Sequence, residues 1–299
     1  MTDRTSDTIY NVAAIGAGTA GLVTTAAISG MGGRAALVEK GEMGGDCLNT
    51  GCVPSKGLIS SARLIQNIRN AEKWGLNAME PDFEFQRVFA SMREQRAKIA
   101  PNDSQERFEG LGVDVFRAEA RFQSPHELEL STGETIRARN IVIAAGSRAG
   151  IPPVEGLEEV GYHTNETIFD RLTEKPKSLI VIGGGPIGSE MSQVFNRLGV
   201  EVHQVEMAPQ ILIREDEEVI QLLMDHFQSE GVHVHTRTKP KRFTRKDGRI
   251  LLEAEENGED VTLVGDAVLV AAGRVPNIEK LNLAAAGVES NKRGIVVNA

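Results

Sequence analysis

The sequence predicts an α/β protein in which one architectural unit is used twice. Three observations carry that reading. Apolar runs at residues 8–15 and 178–182 have the composition of buried parallel strands. Each leads into a glycine-rich turn that opens a helix: Gly16-Ala-Gly18-Thr19-Ala20-Gly21 and Gly183-Gly-Gly185-Pro-Ile187-Gly188. Each then reaches a second strand, residues 34–38 and 201–205, that ends on an acid, Glu39 or Glu206.

Glycines in this pattern make a tight turn, admit a pyrophosphate close to the backbone and let helix meet strand. The positive end of the helix dipole then faces the phosphates. An acid about 20 residues on is placed to accept a ribose hydroxyl. Both halves therefore read as Rossmann-like dinucleotide-binding domains, each with an inserted antiparallel meander.

The elements follow in order. The first helix runs from the turn to about Ser29. A helix begins in the segment around Cys47 and continues to about Ile68, and another spans Phe83 to about Ala100. A shorter helix restarts at Pro101 and stops near Gly110-Leu-Gly112. Residues 113–138, with turn signals at Ser124-Pro125 and Thr132-Gly133, read as a meander, and Asn140–Gly146 as a buried strand ending at glycine. Gly150-Ile-Pro-Pro153 marks the first domain boundary. Downstream the logic repeats. A helix covers Asp216 to about Ser229, a meander covers residues 232–264 with a turn at Asp247-Gly248, and a strand closes at Gly273. The expected division is 1–150, 151–275, and 276–299 as the start of a return to the first domain.

The chain has 299 residues, 40% hydrophobic and 25% charged, with a formal net charge of −9. That balance disfavours nucleic acid and anionic membrane as partners. Residues 8–33 carry no charge, but six glycines and a strand-then-helix pattern argue against a membrane span. Residues 1–7 lack the basic and apolar regions of a signal peptide, so a cytoplasmic protein is expected.

Only two cysteines occur, Cys47 and Cys52, in Gly44-Gly45-Asp46-Cys-Leu-Asn-Thr-Gly-Cys-Val-Pro-Ser-Lys56. Five positions on an ideal helix rise about 7.5 Å, more than a disulfide spans. Bridging them needs a distorted turn, for which Asn49-Thr50-Gly51 are suitable residues. A bridge there is easily reduced, and a helix N-terminus favours thiolate, so the pair suits reversible redox chemistry. Against it stand a structural disulfide, two unrelated thiols, and a zinc site, which needs more ligands than the pair and His233 or His235 supply. No metal site is expected.

With these motifs the chain resembles the class I flavoprotein pyridine nucleotide–disulfide oxidoreductases, the group of dihydrolipoyl dehydrogenase, glutathione reductase and mercuric ion reductase. The resemblance runs from about Asn11 to Ala299. It implies FAD on the first domain and NAD(P)H on the second, with electrons passing through the flavin to a Cys47–Cys52 disulfide. Cys52 would lie against the flavin and Cys47 would exchange with substrate, a small disulfide or a metal ion. Lys56 would lie near the flavin's reactive nitrogen and pair with Glu190. Further cofactor-binding positions implied are Lys40, Gly45, Asp46, Ala120, Ala145, Gly146 and Ser147 for FAD, and Gly273 for the nicotinamide half.

Glu206 favours NAD(H) over NADP(H), because a carboxylate accepts the ribose hydroxyl and repels a 2′-phosphate. Pro186 stands where glutathione reductases resemble one another in carrying a gating tyrosine, which points to the other two branches. Smaller thioredoxin reductases place a Cys-x-x-Cys in the second domain, unlike this chain. Members of the resembled class continue beyond this end with a Gly-Asp motif, a dimerisation domain and a His–Glu acid–base pair, and none of the six histidines stands in such a motif. A homodimer is implied by the resemblance. Two readings stay open: an FAD enzyme given as a fragment of a longer chain, and a nucleotide-binding remnant without full turnover.

Overall fold

The computed structural model describes residues 8–298, so the expectation for residues 1–7 and the last residue lie outside it. Along the chain come β1 (Ile9–Ile15), α1 (Thr19–Gly30), β2 (Ala35–Glu39), α2 (Gly45–Asn49), α3 (Cys52–Arg69), α4 (Phe85–Ile99) and α5 (Gln105–Gly110). Next are β3 (Val113–Arg117), β4 (Ala120–Ser124), β5 (Glu127–Leu130), β6 (Thr135–Ile143), β7 (Ser147–Ala149), α6 (Leu157–Val160) and α7 (Ile168–Arg171). Then follow β8 (Ser178–Ile182), α8 (Pro186–Arg197), β9 (Glu201–Val205), α9 (Glu217–Glu230), β10 (His233–His235), β11 (Thr238–Lys246), β12 (Arg249–Glu256), β13 (Glu259–Gly265) and β14 (Ala267–Val270).

Two compact units form. One holds the described residues of Met1–Cys52, Arg96–Arg148 and Val275–Ala299; the other holds Val53–Gln95 and Ala149–Arg274. Residues 53–95, which the sequence reading set inside 1–150, therefore group with the second unit. The reason is a shared core: Leu58, Ala62 and Ile65 of α3 and Phe85, Phe89 and Met92 of α4 are buried with Met191, Val194 and Phe195 of α8. The rings of Phe85 and Phe195 lie 6.3 Å apart.

In the first unit a six-stranded sheet has the order β3-β2-β1-β6-β5-β4. The pairs β3/β2, β2/β1 and β1/β6 are parallel, whereas β6/β5 and β5/β4 are antiparallel. β6 serves both arrangements, pairing with β5 from Thr135 to Arg137 and with β1 from Arg137 to Ile143. The return segment is tied in by the Phe122 N–H donating to Leu281 O at 2.9 Å. In the second unit β10-β9-β8-β14 form an all-parallel sheet of the same strand order, and β11-β12-β13 a separate antiparallel one.

Two expectations need correction. Residues 113–117 and 233–235 are the outer parallel strands β3 and β10, not the first runs of meanders. β3 mimics a half-buried strand by placing Asp114 between two apolar residues, and β10 is a short edge strand whose His233 is exposed. Asp114 is in fact buried, its carboxylate accepting from the Tyr10 hydroxyl at 2.9 Å. His233 and His235 are accommodated by His203 of β9, whose ring stacks on that of His233 at 4.9 Å. The hairpin at Asp247-Gly248 forms with positive φ at both residues, 51° and 79°, the two-residue turn that strand twist favours.

The last glycine of each nucleotide turn lies where helix meets strand most closely. A Cβ on Gly21 would stand 1.8 Å from Gly16 O, and one on Gly188 2.1 Å from Gly183 O. Replacing Gly21 by Ala is expected to cost about 2–4 kcal/mol, read as a lower urea midpoint. Gly30→Ala, at an open position near the end of α1, should be neutral or slightly stabilising. Equal effects at the two positions would show that close approach is not what Gly21 provides.

Candidate functional site

Each strand-end acid fastens the turn beside it. The Ala17 N–H donates to Glu39 Oε2 and the Gly41 N–H to Glu39 Oε1, both at 2.6 Å. In the second unit the Gly184 N–H donates to Glu206 Oε2 at 2.6 Å and the Ala208 N–H to Oε1 at 2.7 Å. An ionised carboxylate has about four lone-pair sites, so each can accept a ribose hydroxyl as well. Gly16 and Gly183, which open the two turns, have φ of 108° and 117°. A side chain at either would also strike a strand-end carbonyl, Ala144 O or Ala271 O, at 2.3 Å.

The cysteine segment is docked on the first turn. The Gly44 N–H donates to Ala17 O at 2.9 Å, and Gly45 is so close that a Cβ there would lie 2.6 Å from Gly18 Cα. α2 ends at Asn49, the backbone leaves helical geometry at Thr50 (φ −138°), and α3 restarts at Cys52. Asn49 braces the break, its amide donating to Met43 O at 3.0 Å and Gly45 O at 2.9 Å. Arg96 Nη1 donates to Asn49 O at 2.9 Å.

Both cysteines are free thiols, Cys47 half-buried and Cys52 exposed. A side-chain hydrogen bond joins them. Burial pushes the Cys47 thiol above its ordinary range, and Cys52 and the negative charge of Asp103 add to this, while a hydrogen bond from the Thr19 side chain opposes it. The distorted turn therefore brings the sulfurs into contact.

Beside the same turn a cavity of about 780 Å³ is lined by Gly16, Glu39, Lys40, Ala120, Ala145 and Arg148, among others. Pockets for small molecules and cofactors span roughly 300–1,000 Å³. Its volume, the open backbone of the glycine turn and the free lone pairs of Glu39 make it fit for a dinucleotide.

The pattern of the pyridine nucleotide-disulphide oxidoreductase family matches residues 10–299. This chain belongs to that family. A dihydrolipoyl dehydrogenase of Thermus scotoductus (strain ATCC 700910 / SA-01) is 36% identical, aligned over 97% of this chain and 63% of its own length. A mercuric reductase of Staphylococcus aureus is 30% identical over 99% of this chain and 54% of its own. The solved Cu(II) complex of the HOCl-induced flavoprotein disulfide reductase RclA from Escherichia coli superposes with a TM-score of 0.83 at 26% identity, covering 97% of this chain and 63% of that one. The chain thus spans less than two thirds of the length of these relatives.

Within this family framework, Gly16, Glu39, Lys40, Ala120 and Ala145 are brought together around the cavity. Gly18, Thr19, Ala20, Gly21, Gly45 and Asp46 lie at the openings of α1 and α2. Gly146 is an exposed residue whose carbonyl accepts from the Asn277 N–H at 3.0 Å, and Ser147 opens β7. In the second unit Gly183, Gly185, Ile187 and Gly188 form the β8–α8 turn with Glu206 beside it. Gly273, with φ of 120°, follows β14. Cavity residues missed from the sequence include Arg148, whose guanidinium holds the Glu279 carboxyl down to about 2, and Asn277, which accepts from Arg148 at 3.1 Å. Their separation of 129 positions leaves no local signal. Among the described residues no group of three or more His, Cys, Asp or Glu side chains could hold a metal ion, and no helix is long and apolar enough to cross a membrane.

Lys56 Nζ donates to Glu190 Oε1 at 2.7 Å, joining α3 to α8 in the second unit. The side chains are 58% and 37% exposed, so solvent screens the pair and its worth to stability is at most about 0.5 kcal/mol. Glu190→Gln is accordingly expected to leave the urea midpoint almost unchanged. A loss above about 1.5 kcal/mol would make the pair a structural bridge.

Proposed function

We propose that the first unit holds FAD, that the second holds a nicotinamide dinucleotide, and that electrons from NAD(P)H leave through Cys47 and Cys52. The observation that carries this reading is a pair of thiols in hydrogen-bond contact on a segment fastened to a dinucleotide turn. FAD would be held by Gly16, Gly18, Glu39, Lys40 and Ala145, the nicotinamide dinucleotide by Gly183, Gly185, Gly188 and Glu206. Bound FAD would supply two-electron transfer between reduced nicotinamide and sulfur.

The chain's own residues then have separable tasks. Cys47 and Cys52 store the electrons: closing their disulfide releases two electrons and two protons, and opening it takes them up. For a small disulfide substrate RSSR the Cys47 thiolate attacks one sulfur and RS⁻ leaves. Cys52 then closes on Cys47 and releases the second thiol, so that NADH + H⁺ + RSSR gives NAD⁺ + 2 RSH. The break at Thr50 permits that closure. Lys56, four positions after Cys52 on the same helix, supplies a positive charge that Glu190 orients. A small disulfide, as the dihydrolipoyl dehydrogenase relatives suggest, and a metal ion, as the mercuric reductase relatives suggest, both remain in the substrate class. We further propose a homodimeric, cytoplasmic protein, in line with the family resemblance.

Purified protein is expected to be yellow and to gain long-wavelength absorbance when NADH is added. Colourless protein whose thiols stay inert to NADH would refute the assignment, and protein that binds both nucleotides yet reduces no acceptor would make it a remnant. Steady-state assays with lipoamide, glutathione disulfide and Hg(II) would separate the acceptors.

Glu206 sets the second expectation of this reading. Its carboxylate, held by two backbone N–H groups, should favour NADH over NADPH by at least about tenfold, or 1.4 kcal/mol. Glu206→Ala should shrink that ratio when the two coenzymes are compared in kcat/KM. A preference for NADPH in the unaltered protein would overturn the assignment.

A further inference from the structure

We propose that His203 and His235 are positioning residues for Glu206, sharing one hydrogen between their rings and so tying coenzyme binding in the second unit to pH. The proposal rests on the reading of Glu206 as the acid that accepts the coenzyme ribose.

β9 and β10 run parallel at one side of the four-stranded sheet, with His203 opposite His233 and Val205 opposite His235. Side chains alternate across a sheet, so the three histidines share one face. His203 Nδ1 and His235 Nε2 lie 3.1 Å apart. Each ring has a carboxylate at its other nitrogen. Glu201 Oε1 is 3.5 Å from His203 Nε2, and Glu256 Oε1, at the end of β12, is 3.2 Å from His235 Nδ1. The Glu206 N–H donates to the His235 carbonyl at 2.8 Å, and the Thr238 N–H to the Glu206 carbonyl at 2.9 Å. The segment that carries His235 therefore holds the backbone of the acid at both ends. Glu206 in turn fastens the glycine turn through the Gly184 N–H. A continuous line of contacts runs from the two rings to the acid and on to the turn.

Only one hydrogen fits between two nitrogens at that distance. With one on each outer nitrogen and one shared, the chain Glu201–His203–His235–Glu256 carries a single imidazolium between two carboxylates. A second proton would set N–H against N–H and push the rings apart. His233, whose ring stacks on that of His203 at 4.9 Å, adds a like charge when protonated. On the β8 side the neighbour of His203 is Ile180, which is uncharged. Lys177 before β8, Arg237 after β10, and Glu259 opposite Glu256 in the β12–β13 register are exposed, where solvent screens them. Burial first, and then the His235 and His233 rings, push His203 below the ordinary histidine value. The second proton is thus held more tightly by separated rings than by joined ones. Falling pH favours separation, and the bridge is lost as the pH drops below about 6.5. β10 has three residues and one neighbouring strand, so release of the rings frees the backbone that holds Glu206.

The test follows NAD⁺ binding to the purified, oxidised protein by calorimetry, since NAD⁺ is stable in acid and inert toward oxidised flavin. One linked proton changes affinity by at most about tenfold per pH unit, and the unaltered protein is expected to bind about fivefold more weakly at about pH 5.5 than at about pH 7.5. His235→Gln, whose amide reaches His203 but does not titrate, should flatten that profile whatever its affinity at neutral pH. His226→Gln, which removes an exposed histidine of α9 outside the cluster, should leave the profile unchanged. In the same protein without NAD⁺, the ring signals of His203 and His235 should titrate in two separated steps by NMR. A flat profile with binding intact, a profile that His235→Gln leaves unchanged or His226→Gln flattens equally, or independent titration of the two rings would overturn this proposal alone. Absence of NAD⁺ binding at every pH would instead sink the coenzyme assignment, and this proposal with it.

Discussion

The pairing of a strand-end carboxylate with the backbone of a glycine turn is the interaction on which the rest of this chain depends. It occurs twice, as Ala17 to Glu39 and Gly184 to Glu206, over the same separation of 22 positions and the same 2.6 Å. Each bond joins the first and second strands of a unit across the turn that opens its helix. A glycine-rich turn that opens on a positive φ offers few side chains to hold its shape. A charge-assisted bond to a backbone N–H, stronger than a neutral one, supplies the missing restraint. It also leaves the acid with lone pairs to spare beside the turn.

Much of this was legible because the signals are local. Strand, glycine turn, helix and acid fall within about 30 residues, and the turn is dictated by sterics at single positions, above all Gly16 against Ala144 O and Gly183 against Ala271 O. The outer parallel strands were not legible. Val-Asp-Val-Phe-Arg at β3 and His-Val-His at β10 alternate like surface strands; the buried Asp114 is tolerable only because the Tyr10 hydroxyl donates to it, and β10 is a three-residue edge strand whose His233 is exposed. Nor could the grouping of residues 53–95 be read from the chain. An apolar helical face shows that it will be buried but not against what, and Phe85 and Phe89 find Phe195 more than a hundred positions away.

The site divides in the same manner. Residue types in the cysteine segment foretold a break in the helix, and it lies at Thr50, next to the residues that permit it. The outside support of that break, Arg96, comes from another element. Arg96 is 47 positions from the carbonyl it bonds. Arg148 and Asn277 are legible only once the return segment is laid beside the end of β6. What spacing announces is chemistry carried within one segment; what it hides is the restraint imposed from outside.

That outside restraint explains why the cysteine pair occupies two helices rather than one. On a continuous helix the two sulfurs would be separated by about 7.5 Å of rise, and neither a bridge nor a hydrogen bond could form. Breaking the helix brings them together but removes the backbone bonds that would have fixed Cys47. The loss is offset by docking α2 on the glycine turn through Gly44 and Gly45, and by Asn49 and Arg96 closing the break from two sides. Contact between the sulfurs, fixity of the segment and proximity to the turn are thus one arrangement. None of the three could be altered without disturbing the other two, which is why the conformational freedom of this short helix and the acidity of its thiol belong to the same physical problem.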